Sequence, residues 1–385
     1  MSGAPDFTAN FTAEAAALRA WMFDKALPFW AEVGVDRVGG GFFERLSPEG
    51  RVLDDPRRAR LVCRQIYVFA TAARLGWDGP AQDIVRHGLA ALERDHLKAE
   101  GLVIPSVHAG GAPARTDFDL YDHAFVLFGL AAAAQIGVGQ SLAARAVALR
   151  EAMRAGFGHP QAGFEEAMPP TEPLKANPHM HLLEAFLAWE DLSPGAGWEA
   201  AADEIAQLCL DRFVDPATGA VHEFYDRGWQ RIPEGAGAVV EPGHQFEWAW
   251  LLLRWGERRN RADAVAAALR LVDLAEANGV DPALGLALNE LDPDLNIRDA
   301  RARLWPQTER VKAHALLRAR ASSGEDRKVA EQRAAESIAG LRRFLAHPVR
   351  GSWWEHIGPD GQAMPEPARA SSLYHIMGAL EAVAD

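Results

Sequence analysis

A short glycine-led segment returns six times along the chain, at nearly regular intervals. Each copy continues with a few apolar or β-prone residues and ends in a turn. Neighbouring copies begin 56 to 66 residues apart. The segments are GGFFERLSPEG (40–50), GLVIPSVHAGG (101–111), GFEEAMPP (163–170), GAVHEFYDRGW (219–229), GLALNELDPDL (285–295) and GSWWEHIGPDG (351–361). This spacing predicts a repeat architecture, and SPEG and GPDG predict short hairpin turns.

Apolar residues at helical spacing fill the stretches between these segments. Two candidate helices lie between neighbouring segments, one precedes the first segment and one follows the last, which makes twelve. They cover about 12–33, 58–75, 80–97, 120–136, 140–156, 178–192, 197–213, 243–259, 261–278, 302–320, 326–346 and 370–383.

Six units of one hairpin connection and two helices predict stacked helix pairs. An open stack needs polar helices at both ends, but the last helix, SLYHIMGALEAVA, is as apolar as the middle ones. We therefore expect the stack to close into an all-α (α/α)6 barrel with six inner helices, six outer helices and short β-hairpin connections. Since no linker-like stretch interrupts the pattern, residues 1–385 are predicted to form a single domain.

Composition excludes several classes of protein. A net charge of −13 disfavours a nucleic-acid groove, and no apolar run approaches the length of about 20 residues that spans a bilayer. The N-terminus lacks the features of a signal peptide, and the two cysteines are too few for a disulfide framework. These features predict a cytoplasmic enzyme without membrane or nucleic-acid partners.

Unusual polar residues recur near the starts of the even-numbered helices. Because inner helices of such a ring run parallel, these first turns should converge on one cavity. Singly, each residue has a structural explanation: Arg64 could pair with Glu184 or Glu309 in the core, and His123 could bind a backbone carbonyl. Their joint occurrence on alternate helices favours a site. The residues are Arg64, Tyr121, His123, His181, Glu184, His244, Glu247, Trp305, Gln307, Glu309, Tyr374 and His375.

Neither a metal nor an organic cofactor is predicted. Two His-x-x-Glu pairs invert the Glu-x-x-His order of di-iron bundles, and Arg64 would repel a cation. Residues 291–299 lack calcium-loop features, because Ile297 replaces the turn glycine and Arg303 the bidentate glutamate. No phosphate-binding loop or dinucleotide fingerprint is present.

Histidines, glutamates and an arginine without a cofactor suit proton transfer next to a carbonyl group. Histidine can take and return a proton near neutral pH, and arginine can stabilise an enediolate oxygen. Trp305 and Trp353 are candidates for stacking on a sugar ring. This set of residues favours aldose–ketose isomerisation or epimerisation at C2.

The chain resembles the N-acylglucosamine 2-epimerase superfamily, which includes mannose isomerases, sulfoquinovose isomerase and cellobiose 2-epimerases. The resemblance is carried by CRQIYVFA, NPHMHLLEAFLA, PGHQFEWAWLLL, LWPQTE and LYH, in that order. It spans about residues 40 to 383 and implies the same (α/α)6 barrel.

The resemblance implies roles for individual residues. His244 and His375 are the implied acid/base pair, and Arg64 is implied to stabilise the enediolate. Glu247 is implied to orient His244. The implied substrate-binding residues are Tyr121, His181, Glu184, Glu247, Trp305 and Glu309. Two positions depart from the family: Arg60 replaces a frequent tryptophan, and His179 replaces a frequent asparagine. An arginine at position 60 could grip a phosphate or sulfonate, or lie on the helix surface.

The predicted reaction is the interconversion of mannose or a mannose-like aldose, such as mannose 6-phosphate, with its ketose. It passes through ring opening and a cis-enediolate. A sugar 2-epimerase is the near alternative. An (α/α)6 glycoside hydrolase using two of Glu184, Glu247 and Glu309, or a non-catalytic sugar-binding protein, are alternatives of other classes. A monomer or homodimer is expected.

Overall fold

The computed structural model describes residues 7–98, 100–235 and 238–384, and these form a closed ring of twelve helices. The odd-numbered helices are outer and the even-numbered ones inner. In order they are α1 (Phe7–Trp21, continued by Met22–Ala26, Leu27–Phe29 and Trp30–Gly34), α2 (Ala59–Arg74), α3 (Ala81–Ala91, continued by Leu92–His96), α4 (Leu120–Gln135), α5 (Leu142–Phe157), α6 (Ala176–Leu192), α7 (Trp198–Leu208, continued by Cys209–Phe213), α8 (Pro242–Arg259), α9 (Ala262–Asn278), α10 (Leu304–Arg320), α11 (Gly324–Phe344) and α12 (Ser372–Ala384). The prediction of twelve helices is confirmed.

The ring closes between the two ends of the chain. Each inner helix packs against the next, and α12 packs against α2. The first and last connections also pair, because Arg45 and Arg369 are register partners in one antiparallel sheet. The backbone N–H of Ala370 donates to the carbonyl of Glu44 over 2.9 Å. The predicted (α/α)6 barrel is therefore confirmed.

Four small antiparallel sheets lie at one end of the described ring. Both predicted hairpin turns form: Gly50 N–H donates to Ser47 and Gly361 N–H donates to Gly358. The third glycine-led segment makes only an isolated bridge at Phe164. The strands are β1 (Arg45–Leu46), β2 (Val52–Leu53), β3 (Arg57–Arg58), β4 (Ser106–Val107), β5 (Pro113–Arg115), β6 (Leu174–Lys175), β7 (Phe224–Tyr225), β8 (Leu288–Leu291), β9 (Ile297–Arg303), β10 (His356–Ile357) and β11 (Ala368–Arg369). They pair in the orders β11-β1-β2, β10-β9-β8, β3-β4-β5 and β6-β7.

Four inner helices pin the preceding connection with one polar side chain each. In α6, His179 Nδ1 donates to the Lys175 carbonyl over 2.8 Å, while its Nε2 accepts the Phe164 N–H over 3.0 Å. His123 makes the equivalent pair of bonds in α4. Burial lowers the pKa of both histidines to about 4, so both are neutral. In α8 and α10, Gln245 and Gln307 likewise form hydrogen bonds with backbone groups of the preceding connection. His123 and His179 thus hold the connections in place.

One tryptophan lies in the core rather than at the predicted sugar-binding position. Trp353 was a candidate for stacking on sugar, but it is fully buried and stacks on Trp30, with ring centroids 4.9 Å apart. Its segment, GSWWEHIGPDG, contributes to the contact between the two ends of the chain rather than to the central cavity. None of the described helices is long and apolar enough to cross a membrane.

Candidate active site

A cleft of about 940 Å³ opens at the N-terminal ends of the inner helices and has Arg64 and Tyr121 in its lining. A narrower cavity of about 280 Å³ enters from the opposite end and reaches Glu184, Tyr374 and His375. Contacts between the first and second turns of different inner helices, such as Arg64 with Tyr121 and Glu309 with His375, show that these helices run in the same direction, as expected. The predicted polar residues lie in the layer between the two openings, except His123 and Gln307, which hold the connections.

His244 is held by a carboxylate that the sequence analysis did not assign. Its Nδ1 donates to Glu223 Oε1 over 2.8 Å, and Glu241 Oε2 lies 3.8 Å away. Gln245 clamps both backbone groups of Val221 and so fixes the segment that carries Glu223. Burial alone would lower the pKa of His244, but Glu223 and Glu241 raise it to about 10. His244 is therefore an imidazolium at neutral pH.

His375 has a similar partner and the opposite charge state. Its Nδ1 donates to Glu309 Oε1 over 2.8 Å, and the other carboxylate oxygen lies 2.7 Å from Lys312 Nζ. Burial, together with the cations Arg64 and Lys312, lowers the pKa of His375 to about 4. His375 is therefore neutral at neutral pH, and its Nε2 can accept a proton.

Trp305 lies between the two histidines. Its ring centroid is 4.8 Å from that of His244 and 5.8 Å from that of His375, with tilts near 40°. This packing requires a glycine at position 243, since a Cβ there would meet the Trp305 ring at 2.4 Å. The Pro-Gly start of α8 thus serves two purposes: Pro242 occupies the first helical turn, and Gly243 admits the tryptophan.

Arg64 is surrounded by aromatic rings rather than by carboxylates. Its Nη2 donates to the Tyr121 hydroxyl over 2.6 Å, and its guanidinium lies 4.1 Å from the Phe125 ring and 5.1 Å from the Tyr374 ring. Its Nε is buried without a partner. The alternative in which Arg64 pairs with Glu184 or Glu309 does not occur in the structure. Arg64 retains donors for a ligand.

His181, Glu184 and Glu247 form the floor of the site. His181 Nδ1 lies 3.3 Å from Glu184 Oε2 and 3.8 Å from Glu247 Oε1. Glu184 also accepts a hydrogen bond from the Tyr374 hydroxyl. Burial and the neighbouring Glu309 raise the pKa of Glu247 well above its usual value, and neither of its oxygens has a hydrogen-bond partner. Glu247 is thus a buried carboxyl group that can bind a hydroxyl group.

The structure gives two of these residues other partners than expected. Glu247 does not orient His244, because its carboxyl turns toward His181 while Glu223 holds the imidazole. Glu309 does not line an open pocket: it is fully buried and holds His375 and Lys312. Arg60 pairs with Asp122 over 2.8 Å and with Asp119 over 3.5 Å, so its charge is compensated.

Glu223 and Lys312 are the residues that the sequence analysis missed. Glutamate recurs in five of the six glycine-led segments, and this signal could have identified Glu223. Lys312 follows Glu309 by three residues in α10, a spacing that places both on one helix face.

Two groups of described side chains have the composition of a metal site. They are His181, Glu184 and Glu247, and Glu223, Glu241 and His244, with ligand atoms within 4.8 Å of one another. Lys312 Nζ lies 4.0 Å from Glu184 and would compete with a cation for the first group. In the second group, a metal would have to displace a proton from the strongly basic His244. Metal-independent chemistry stays a prediction.

Comparisons with known proteins agree with this architecture. A mannose-6-phosphate isomerase of Rhizobium meliloti (strain 1021) is 42% identical over 376 residues, covering 97% of both chains. The crystal structure of a D-mannose isomerase superposes with a TM-score of 0.86 at 22% identity, covering 96% of this chain and 97% of the other. The cellobiose 2-epimerase of Bacillus thermoamylovorans B4167 gives 0.86 at 17% identity, covering 97% and 99%.

The family signature covers most of the chain. Residues 41–379 match the sequence profile of the N-acylglucosamine 2-epimerase (GlcNAc 2-epimerase) family. The matched range begins in the first glycine-led segment and ends within α12, so it includes five inner helices whole and the first part of the sixth. The chain therefore belongs to the N-acylglucosamine 2-epimerase family of sugar isomerases and epimerases.

Proposed function

We propose that this protein is an aldose–ketose isomerase that interconverts mannose 6-phosphate, and more slowly mannose, with the corresponding ketose. The observation that carries the proposal is the pair of carboxylate-bound histidines on either side of Trp305, with His244 protonated and His375 neutral. One supplies an acid and the other a base without any cofactor. The relative named mannose-6-phosphate isomerase supports the choice of sugar.

The chemistry begins with ring opening. His244 donates a proton to the ring oxygen as the bond between C1 and O5 breaks, and it is reprotonated by the proton that leaves O1. The opened aldose then presents its carbonyl to Arg64. Because the guanidinium is desolvated among Tyr121, Phe125 and Tyr374, its attraction for a developing oxyanion is stronger than in water.

Proton transfer between carbons follows. His375 removes the C2 proton to give a cis-enediolate. Glu309 stabilises the imidazolium that forms, and Arg64 stabilises the enediolate oxygen. His375 then returns the proton to C1, while the hydroxyl proton of O2 passes to O1. Glu247 and the His181–Glu184 pair, whose polar atoms face the same layer, bind the remaining hydroxyl groups.

A proton NMR time course in deuterium oxide tests the proposal. Mannose and mannose 6-phosphate are each incubated with enzyme, and we expect a ketose product labelled with deuterium at C1. His244→Gln and His375→Gln should each lose at least about a hundred-fold in kcat, the usual contribution of an acid or base. His123→Gln is the matched control, because His123 is equally buried but binds only backbone groups.

Different products would contradict the proposal in different ways. A C2-epimeric aldose without ketose would identify a 2-epimerase instead. An unchanged sugar with no exchange at C2, in the wild type at saturating concentration, would refute both reactions.

A further inference from the structure

The mouth of the ring is bordered by charged residues at the start of every inner helix. In five helices the charged residue directly precedes the first helical residue, and in α12 it lies three residues before it. Most of these charges are compensated by a neighbour. The compensated residues and partners are Arg58 with Glu44 at 2.7 Å, Asp119 with Arg60 at 3.5 Å, Lys175 with Glu166 at 3.3 Å and Glu241 with His244 at 3.8 Å.

Arg303, before α10, and Arg369, before α12, are the exceptions. Among the described residues, no carboxylate lies within 4.0 Å of either guanidinium, and neither guanidinium makes a hydrogen bond; Arg303 Nε is buried without a partner. A cation at a helix N-terminus has the sign that the helix dipole disfavours. No close ion pair therefore explains the placement of these two arginines; Arg303 acts on the buried Glu241 only at longer range.

Glu355 fixes the two arginine-bearing strands side by side. Its carbonyl accepts the Leu304 N–H over 3.0 Å, and its carboxylate accepts the Arg369 N–H over 2.8 Å. The same carboxylate is engaged by Trp353 Nε1 and the Ser372 hydroxyl. It anchors both backbones without compensating either guanidinium.

Both arginines line the large cleft on the side of the ring that carries His375. The Arg303 guanidinium lies 5.9 Å from the Trp305 ring, which in turn contacts both histidines. The cleft continues from Trp305 to the two arginines, so a sugar with C1 and C2 at the histidines has room there for its C6 end. The unpaired cations thus border space that is open to the group on C6.

We propose that Arg303 and Arg369 form the subsite for the phosphate group of a hexose 6-phosphate. This rests on the proposed function, which places the reacting carbons at the histidines. A phosphate monoester at neutral pH carries between one and two negative charges and offers three acceptor oxygens, which suits two guanidinium groups with unused donors. Arg60, the arginine that the sequence suggested for an anion, is excluded by its pairing with Asp122.

The test compares mannose 6-phosphate with mannose in the wild type, Arg303→Gln, Arg369→Gln and the double variant. We expect the double variant to lose on the order of a hundred-fold or more in kcat/KM for mannose 6-phosphate, mainly through KM, and less than about three-fold for mannose. Arg45→Gln is the matched control: Arg45 lines the same cleft and the change removes the same charge, but Asp55 compensates it at 2.8 Å. The control should change neither value by more than about three-fold.

Equal losses for both sugars, or a double variant that behaves like Arg45→Gln, would overturn the subsite. A wild type that isomerises mannose but not mannose 6-phosphate would also overturn it while leaving the isomerase proposal intact. Calorimetry with glucitol 6-phosphate and glucitol, which cannot isomerise, decides the subsite even if neither sugar reacts. Wild-type binding of the phosphorylated hexitol alone, lost in the double variant, supports the subsite, and equal binding of both hexitols contradicts it.

Discussion

Replacing Glu223 by glutamine removes the negative charge that keeps His244 protonated. The pKa of His244 rises from the usual 6.5 to about 10 in the folded protein. At about 1.4 kcal/mol per pKa unit, this rise corresponds to roughly 5 kcal/mol in favour of the imidazolium. Glu223 lies at 2.8 Å and Glu241 at 3.8 Å, so Glu223 is the nearer source of that preference. A glutamine oxygen can still accept the Nδ1 hydrogen bond, which leaves the geometry in place.

The sign of the effect follows from the raised pKa. Activity that needs the imidazolium is retained below the pKa of His244 and lost above it, so the wild type should stay active up to about pH 10. In Glu223→Gln we expect the alkaline limb to move down by about 3 pH units, because the buried imidazole loses its stabilising anion. With the limb near pH 7, about 3% of the variant is protonated at pH 8.5, a loss of roughly 30-fold there.

The measurement is kcat/KM for the isomerised sugar between pH 5 and 10, supported by a nitrogen NMR titration of His244. Glu165→Gln serves as the control, since Glu165 is a buried glutamate of another glycine-led segment that pairs with Arg227. The control should leave the alkaline limb unchanged. If Glu223→Gln lowers activity equally at all pH values, Glu223 acts through geometry alone, and the assignment of His244 as the acid is refuted.

Three further predictions concern the same layer. His179→Gln should keep at least half of the activity, because glutamine makes the equivalent bonds at 245 in α8; near-complete inactivation of the folded variant would contradict this. Lys312→Met leaves Glu309 buried without its cation, so it should lower the free energy of unfolding in urea by about 3–5 kcal/mol. Because Lys312 also lowers the pKa of His375, the acid limb of activity should move above pH 4 in this variant. An unchanged unfolding midpoint would count against the ion pair. Treatment with EDTA followed by gel filtration should leave kcat unchanged, and activity restored only by an added divalent metal would show that His181 and its neighbours hold an ion.

The fold could be predicted because its signal is periodic. The regular return of a glycine-led segment and the apolar last helix can both be seen in the local sequence. Together with the need to bury every apolar face, they predict a closed ring. Residues that hold the connections of the repeat are hard to distinguish, in the sequence, from residues of the site. His123 and His179 occupy first turns like those of the catalytic candidates, but they bind backbone groups of the preceding connection.

Side-chain partners were less predictable than side-chain positions. His244 and Glu247 share a helix face, which suggested a pair, but the connection before α8 brings Glu223 closer to the imidazole. That approach depends on Gln245 clamping Val221, a contact between residues 24 apart in the chain. Trp353 illustrates the same limit, because its stacking on Trp30 requires the two chain ends to meet.

The two histidines differ in charge state because their glutamate partners have different neighbours. Both imidazoles are buried, and each donates Nδ1 to a glutamate over 2.8 Å. Beyond Glu223, His244 faces a second acid, Glu241, whereas the glutamate beside His375 is already neutralised by Lys312. Two similar pairs thus become an acid and a base. The proposed isomerisation uses an acid and a base together, and in that mechanism the asymmetry of the two pairs supplies both.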